Sequence, residues 1–423
     1  MDAPHRITRR LLACATALAA CAWFAVALAT PASANVAHQK LFVAKDGSHK
    51  HSGGGCTSAQ YSTISAAVAA AHAGSTVVVC PGTYAEDVHL NKPLNLVGHH
   101  ATINAAGLEN GIWIVSSNVS VDGFTIKNAN GEGILVGIDI EADFPQLPPG
   151  LVIGHVSIDH VAALGNDKGF NGTENGNCKY AGDCGGGIHF NAVSWSSVRD
   201  SKVIGNADGI LLTDDYAPTS HNLIDGNLVT DNKTECGIVL ASHNGGAVTF
   251  DPTTFAVTGR NPSVGGIYDN VIRHNVALRN GTAKAPPEFG GGGSGSGIGI
   301  FGAFQGTGAY DNVVADNFAA GNGLAGFTIH AHLPGGEDVN GNKVVDNVFG
   351  TNNVGGDGYD GPPGPTDYHT TGIAVYSAAK VNMTIEDNTI FQNTIGIWLS
   401  KTVHAHGLAD NTFHHVTHKI VRG

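Results

Sequence analysis

Aspartate and histidine residues at the ends of two similar apolar runs are the side chains of this sequence best placed for acid–base chemistry. Thr213-Asp214-Asp215 ends one run, and Ser242-His243 ends the next. A carboxylate beside an imidazole orients the ring and raises its basicity, which makes a general base or acid. We therefore predict catalytic roles for Asp215, His243 and Asp214. A structural cap is the alternative for both aspartates, because Asp at the end of a strand often binds the backbone of its own turn.

A second group with chemical potential is His330-Ala331-His332. Two histidines at positions i and i+2 of a strand share one face, where they could bind one metal ion or contact one sugar. We predict His330 as a further catalytic base or acid. The predicted substrate contacts lie near the ends of the apolar runs: His189, Asn191, Phe301, His332 and Tyr376. The alternative is that the chain simply has many histidines, 22 in all, most of them exposed and without a role.

Asp139, Glu141 and Asp143 form an acidic group on a strand-like run. Alternate positions put three carboxylates on one side, where they could hold calcium; a solvated edge is the alternative. The predicted chemistry requires no cofactor, although a bound calcium ion is left open as an alternative. With only two methionines, the chain has few of the soft sulfur ligands that a copper site usually requires.

The composition indicates short strands and turns. The 423-residue chain contains 59 glycines, and 42% of its residues are hydrophobic whereas only 13% are charged. That hydrophobic share suffices for a core, but exposed helices would need charged outer faces. The 35 acidic residues exceed the 22 Lys and Arg, which gives a net charge of −13. Nucleic acid is therefore not an expected partner.

The N-terminal segment has the features of a secretory signal. Three arginines precede an apolar run at 11–28, and Ala32-Ser33-Ala34 fits a cleavage site. We predict a signal peptide at residues 1–34, a mature domain at 35–423, and a secreted protein with no membrane partner after the signal is removed. A lipoprotein cleavage site at Leu18-Ala19-Ala20-Cys21 is the alternative.

Cysteine usage agrees with export. Removal of the signal leaves five of the seven cysteines. Cys56 and Cys80 bracket one small unit, and a disulfide between them would contribute about 3 kcal/mol of stability. Cys178 and Cys184, which lie in a loop rich in Gly and Asn, are a second predicted pair. Cys236 is predicted to be a buried, inert thiol rather than a reactive one.

Two short phrases recur along the chain. The first is a glycine, an apolar residue, any residue and another apolar residue. It begins at Gly111, Gly133, Gly187, Gly209, Gly237, Gly297, Gly326, Gly372 and Gly396. The second places asparagines five residues apart, in sets that begin at Asn222, Asn270, Asn312 and Asn342 and in a shorter set at Asn388. The shortest step between successive glycine phrases is 22 residues.

This repeat predicts a stack of parallel coils. Apolar residues at alternate positions suit short strands with one buried face, and Asn and Gly tolerate the left-handed backbone of sharp turns. Asparagines at equivalent turns can hydrogen-bond along the stack. We therefore predict an all-β fold, a parallel β-helix of about ten coils whose repeat covers about residues 90–417.

The repeat and the segment before it resemble the secreted right-handed parallel β-helix proteins of the pectin-lyase-like superfamily. The N-terminal segment contains Leu41-Phe42-Val43-Ala44, a helical pattern from about Thr63 to Ala73, and Pro81-Gly82-Thr83-Tyr84. The resemblance implies a right-handed solenoid that forms one domain over residues 35–423, with an N-terminal cap at about 41–90. The helix would cover the open end of the stack, where apolar interior and strand edges are otherwise exposed.

The repeat also predicts which side chains point outward. The second and fourth residues of each glycine phrase should face inward, and the third and fifth outward on one face. Asp215 and His243 should then face the same way, about 5 Å apart on successive coils. Insertions expected to flank this face as the walls of a trough lie at about 166–186, 245–264, 281–296 and 354–371.

The resemblance implies that a polysaccharide or cell-wall glycan binds in this trough. We predict a secreted, monomeric enzyme, either a polysaccharide lyase or a glycoside hydrolase, that cleaves by β-elimination or hydrolysis. No catalytic residue is carried over from the family, because the chain lacks the hydrolases' Arg-x-Lys and has no arginine on the outward row, where pectate lyases use Arg or Lys as the base. The alternatives are a non-catalytic exported glycan-binding or scaffold protein and a periplasmic metal-handling accessory protein.

Overall fold

Short strands separated by tight corners wind the chain into a right-handed parallel β-helix. The computed structural model describes residues 39–45, 54–138, 151–168, 186–284, 293–331, 335–356 and 369–423. One coil consists of Ile267–Tyr268, Val271–Arg273, Val276–Leu278 and Ile298–Gly302, and each of these strands pairs in parallel with a strand of the coil before and of the coil after. Crossovers between parallel strands of one sheet are almost always right-handed. The predicted fold class is confirmed.

Stacking of the coils produces three parallel sheets within the described ranges. Sheet 1, which the glycine phrases form, has eleven strands: Val88–Leu90, Ile112–Ile114, Ile134–Gly137, Gly186–Asn191, Asp208–Thr213, Ile238–Ser242, Ile298–Gly302, Phe327–Ala331, Thr371–Tyr376, Ile395–Leu399 and His418–Arg422. Sheet 2 has 21 strands: Lys40–Val43, Ser75–Val79, Gly82–Tyr84, Leu94–Asn104, Val119–Lys127, Val156–Asp159, Ala162–Leu164, Ser197–Arg199, Lys202–Ile204, Leu223–Asp225, Leu228–Thr230, Val271–Arg273, Val276–Leu278, Val313–Ala315, Phe318–Ala320, Lys343–Val345, Val348–Phe349, Val381–Glu386, Thr389–Phe391, Val403–His406 and Thr412–His414. Sheet 3 has five strands: Ile153–Gly154, Val193–Ser194, Thr219–Ser220, Ile267–Tyr268 and Ala309–Tyr310.

The predicted insertion at 245–264 contains an antiparallel hairpin of Val248–Phe250 and Val257–Arg260. It leaves the coil at the corner between sheet 1 and sheet 3. Short 3₁₀ turns lie at Cys56–Ser58 and Leu408–Asp410. The other predicted insertions fall partly outside the described residues.

The interior of the coils is a continuous apolar core. Ile188 and Phe190, and Ile210 and Leu212, are the second and fourth residues of their glycine phrases, and all four are fully buried in it. Their inward orientation is as predicted from the repeat. Burial of apolar surface on this scale is the main free-energy gain of the fold.

Asparagine ladders connect successive coils. The side-chain amide of Asn275 donates to Oδ1 of Asn317 at 3.0 Å and to the Ile224 carbonyl at 2.9 Å, and its backbone N–H donates to the same Oδ1 at 2.9 Å. Three buried ladders follow this pattern: Asn222, Asn270, Asn312 and Asn342; Asn227, Asn275, Asn317, Asn347, Asn388 and Asn411; and Asn166, Asn206, Asn232, Asn280, Asn322, Asn352 and Asn393. The predicted hydrogen bonding along the stack is confirmed.

The left-handed corner residues are mostly not these asparagines. Asp269, His274, Asp311 and Asp316 have φ between 53° and 55°, and each directly precedes a ladder asparagine. Aspartate and histidine are, like asparagine, enriched in the left-handed region. The expectation that the ladder asparagines adopt the left-handed backbone is therefore wrong, since their own backbone N–H and side chain are used for the ladder.

The N-terminal segment contains a short α-helix at Ile64–Ala70, which buries Ile64, Ala67 and Val68. Thr63 Oγ1 accepts a hydrogen bond from the Ala66 N–H, and the Glu86 carboxylate accepts from the backbone N–H groups of Ile64 and Ser65 at 2.8 Å each. These acceptors satisfy N–H groups that the first turn leaves without helical partners. That the helix covers the end of the stack stays a prediction.

The predicted disulfide between Cys56 and Cys80 is present, with a Cα–Cα distance of 5.6 Å. Cys236 is a buried thiol, whose Sγ accepts a hydrogen bond from the Ser296 N–H at 3.2 Å. The predicted signal peptide and the pair Cys178 and Cys184 lie outside the described residues. No helix in the described part of the chain is long and apolar enough to cross a membrane.

Candidate active site

The outward row of the glycine phrases is not an open trough. His189, Asn191, Phe301 and His330 are only 4%, 0%, 7% and 4% exposed. A second apolar cluster lies on this face, formed by Leu211, Cys236, Val239, Ala241 and Phe301. Apolar side chains gain free energy by leaving water, so this face is packed rather than solvated. The prediction that these four residues line an accessible surface is therefore wrong.

Asp215 and His243 meet where two neighbouring strands of sheet 1 end. Asp208–Thr213 pairs with Ile238–Ser242 so that Thr213 lies opposite Ala241, and the residues that follow come side by side. Oδ1 of Asp215 lies 3.1 Å from Nδ1 of His243. Both side chains keep partial contact with solvent, at 15% and 18% exposure. The structure thus brings together the pair that the sequence predicts to be catalytic.

Asp214 is completely buried beside this pair. Its Oδ1 accepts hydrogen bonds from the backbone N–H of His243 at 2.6 Å and of Asn244 at 3.2 Å. Its Oδ2 accepts from Ser242 Oγ at 3.0 Å and from the Gly266 N–H at 2.5 Å. Four donors fill the acceptor capacity of the carboxylate. Asp214 therefore fixes the corner around His243, and the direct catalytic role predicted for it does not fit this geometry.

The two adjacent aspartates have opposite pKa shifts. Burial raises the pKa of Asp214 to about 6, against the opposing effect of the Gly266 and His243 N–H groups. Burial also acts to raise the pKa of Asp215, but opposing interactions, led by the hydrogen bond and charge of His243, together outweigh it, and the pKa of Asp215 lies below its ordinary value. Thr213 acts in the same direction. Asp215 is therefore the ionised partner of the histidine at neutral pH.

A second histidine–carboxylate pair lies on the preceding coils. Nδ1 of His189 is 3.1 Å from Oε1 of Glu132, and its Nε2 is 2.9 Å from Oγ1 of Thr213. Both ring nitrogens are thus bonded within the protein, so the predicted substrate contact by His189 does not fit. The ring instead supports Thr213, two residues before Asp215.

Glu132 is a site residue that the sequence did not reveal. Its only signal is its position directly before the glycine phrase at Gly133. Burial and the negative charge of Glu132 raise the pKa of Asp167 well above its ordinary value, which shows that a second buried carboxyl group lies nearby. Oδ2 of Asp167 has no hydrogen-bond partner among the described residues.

The other predicted site residues contribute to packing. The Asn191 amide donates to the Ile138 carbonyl at 3.0 Å. The Phe301 ring meets His330 edge to face, with 4.0 Å between the ring centroids. Tyr376 stacks on Trp398 at 6.5 Å between centroids and is half-buried. Of the predicted substrate contacts that the structure describes, Tyr376 alone keeps partial exposure.

Two groups predicted to bind metal or sugar fall outside the described residues. These are His332 and the acidic group of Asp139, Glu141 and Asp143. Within the described ranges, no group of three or more His, Cys, Asp or Glu side chains is arranged to hold a metal ion. Calcium binding therefore stays a prediction.

No protein family and no curated protein matches the sequence. Similar solved structures include a pectate lyase with 15% identity, covering 88% of this chain and 78% of that one at a TM-score of 0.47. An alginate lyase from Paenibacillus is 12% identical, and the match covers 85% of this chain and 96% of that one at a TM-score of 0.45. The A-module of a mannuronan C-5 epimerase from Azotobacter vinelandii is 17% identical, and the match covers 84% of this chain and 92% of that module at a TM-score of 0.43. By the register of its own strands, the chain has a parallel β-helix fold.

Proposed function

We propose that this protein binds a glycan beside Asp215 and His243 and cleaves its glycosidic bonds. The proposal depends on one observation, the 3.1 Å contact between Asp215 Oδ1 and His243 Nδ1 at a partly exposed position. A pair of titratable groups that share a proton-transfer contact at the surface is typical of acid–base sites. The resemblance of the repeat to secreted β-helix proteins supports a glycan as the substrate class.

In this proposal Asp215 orients the ring and His243 transfers the proton. The carboxylate holds Nδ1 of His243 and so fixes the orientation of the ring. The ionised carboxylate also stabilises the imidazolium that forms when His243 acts as a base. Asp214 positions His243 through its backbone N–H.

Two reactions could use this pair. In hydrolysis, His243 takes a proton from water as the water attacks the anomeric carbon, and the glycosidic oxygen leaves with a proton from a second group. In β-elimination, His243 takes the proton beside a uronate carboxylate, the electron pair forms a carbon–carbon double bond, and the glycosidic oxygen leaves from the adjacent carbon. The two reactions release different products.

Turnover of a panel of polysaccharides by purified variants tests the proposal. Asp215→Asn and His243→Ala should each lower kcat by about 10²–10⁴-fold, with the melting temperature little changed because both side chains reach solvent. New reducing ends alone report hydrolysis, whereas ultraviolet absorbance of an unsaturated product reports elimination. Matched controls are Asp387→Asn and His404→Ala, which change exposed residues of later coils.

Full turnover in both variants would overturn catalysis by this pair. Glycan binding by a wild-type protein that cleaves no member of the panel would instead favour the exported binding or scaffold protein. Metal analysis of the purified protein tests the metal-handling alternative.

A further inference from the structure

A cleft of about 780 Å³ lies next to the hairpin of Val248–Phe250 and Val257–Arg260. One wall is the hairpin tip around Thr254 and Phe255, and the other is the segment from Ala378 to Asn382. Residues between Gly335 and Gly341 form the floor. The volume lies within the range of small-molecule and oligosaccharide sites. The walls come from different coils, so the cleft runs along the stack.

The hairpin wall is held in one position. At its tip, Oδ1 of Asp251 accepts hydrogen bonds from the N–H groups of Thr253 at 2.8 Å and Thr254 at 2.9 Å. Phe255 has a left-handed backbone, with φ of 55°, which is costly for a bulky residue and is concentrated at functional sites. Gly335 makes room for it, because a Cβ there would lie 2.9 Å from the Phe255 Cβ.

The base of the hairpin is joined to the floor by Arg260. Its Nε donates to Asp338 Oδ2 at 2.7 Å, its Nη1 donates to Asp311, and its guanidinium lies 3.9 Å from the centre of the Tyr310 ring. The positive charge of Arg260 is therefore balanced by two carboxylates. The floor and the far wall are joined in turn, since the Asn382 N–H donates to Asn340 Oδ1 at 2.8 Å.

Two polar side chains of the far wall are available to a ligand. Lys380 and Asn382 line the cleft and are exposed, and neither side chain has a hydrogen-bond partner among the described residues. The floor contributes the buried carboxylate of Glu337. With Arg260 neutralised, Lys380 is the one remaining cation among the described residues that line the cleft, so the cleft offers no row of cations to a chain with a negative charge on every ring.

We propose that this cleft binds an uncharged oligosaccharide. Lys380 and Asn382 would bind sugar hydroxyls, and Phe255 would contact the apolar face of a ring. The inference rests on the proposed function for the class of ligand, and it adds a binding site whose far wall lies three coils beyond His243 and four beyond Asp215. The hairpin connects the two sites, because it begins five residues after His243.

Calorimetric titration of the full chain with cellohexaose, mannohexaose, xylohexaose and hexagalacturonate tests the proposal. At least one neutral hexaose should bind, and more tightly than hexagalacturonate. The double variant Lys380→Ala/Asn382→Ala should weaken that binding by about tenfold, and Phe255→Asn, which tolerates the left-handed backbone, should weaken it as well. Lys401→Ala, an exposed lysine outside the cleft, is the matched control and should bind like the wild type.

The outcomes separate this inference from the proposed function. Unchanged affinity in the cleft variants would overturn the cleft site, and the proposed function would stand if Asp215→Asn still lost turnover. Tighter binding of hexagalacturonate than of any neutral hexaose would overturn the assignment of an uncharged ligand. No binding of any hexaose by the wild type would overturn the cleft site, and the proposed function would still be decided by turnover of the polysaccharide panel. On a substrate that is cleaved, the cleft variants should raise KM and leave kcat unchanged, whereas the Asp215 variant should lower kcat.

Discussion

Oδ1 of Asp215 and Nδ1 of His243 are 3.1 Å apart, although 28 residues separate them in the chain. The strands before them are neighbours in sheet 1, with Leu212 opposite Leu240. Apolar side chains in the coil interior thus set the spacing of two polar groups at its surface. The corner that follows is fixed by Asp214, which holds the backbone N–H of His243 at 2.6 Å.

The position of the Asp215 carboxylate should matter as much as its charge. Asp215→Glu keeps the charge but adds a methylene, which moves the carboxylate by about 1 Å relative to the ring. Misplacement of this size costs about 10²-fold in rate at a well-oriented site, so kcat should fall by about that factor. Steady-state kinetics on the cleaved glycan measure it, and Asp387→Glu is the control. Wild-type kcat in Asp215→Glu would argue against an orienting role.

Asp214 should make stability depend on pH in a characteristic direction. Its pKa rises from 3.8 to about 6 on folding, so the folded state binds the proton more tightly than the unfolded chain does. Its contribution to the free energy of unfolding is then complete below pH 3.8 and is lost as the pH rises through about 6. The difference between the two pKa values corresponds to about 3 kcal/mol.

Asp214→Asn removes this titration and tests the expectation. When the pH rises from about 4 to about 7, the wild type should lose about 3 kcal/mol of unfolding free energy relative to the variant. Urea unfolding at both pH values provides the measurement, and Asp387→Asn, an exposed aspartate, should follow the wild type. A constant difference between Asp214→Asn and the wild type at the two pH values would contradict the prediction.

The asparagine ladders should be a major source of stability. Asn317→Ala removes the acceptor of both the backbone and side-chain N–H groups of Asn275 and the donor to Asn347. Buried groups left without partners cost about 1–3 kcal/mol each, so we expect a loss of about 3 kcal/mol in denaturant unfolding. Asn382→Ala, at an exposed position outside the ladders, should change stability by less than about 0.5 kcal/mol. Equal losses in both variants would refute a special role of the ladder.

Gly299 should be required for the packing of Phe301. A Cβ at this position would lie 2.5 Å from the ring, so Gly299→Ala must displace Phe301 and its contact with His330. Overpacking of this kind costs about 1–3 kcal/mol, measured as a lower melting temperature. Gly54→Ala is the control, because a Cβ at Gly54 would meet no atom within 4 Å. A wild-type melting temperature for Gly299→Ala would mean that the ring can move without cost.

The coil stack was predictable because its signals are local and repeated. The apolar spacing of phrases such as Gly209-Ile210-Leu211-Leu212 fixes the inward face, and the contact of Asp215 with His243 follows once the repeat sets the register. The burial of His189 and His330 was not predictable, since it depends on what packs over the outer face, and the insertions follow no period. Glu132 was missed for the same reason, because its partner His189 lies 57 residues away across such an insertion.

The repeat predicts where the corners of the coils lie but not which residue of each corner is left-handed. Asparagine both tolerates left-handed angles and forms ladders, and the repeat alone does not say which property is used. The structure gives the left-handed angle to the preceding residue, such as Asp269 or His274, and the ladder to Asn270 and Asn275. A residue that tolerates the left-handed region, such as aspartate, histidine or glycine, directly before the asparagine is the signal that distinguishes the two roles.

The ladders also determine where the sequence of this protein can change. The hydrogen bond between Asn222 and Asn270 closes over 48 residues that include the whole hairpin, while Asn312 and Asn342 are joined over only 30 residues. Segments of very different length at the corners therefore leave the scaffold intact, whereas one extra residue within a strand would put the asparagine of that coil out of line with its neighbours. Lengthening and shortening the corner segments is thus a route by which such a protein can acquire a different ligand without having to acquire a different fold.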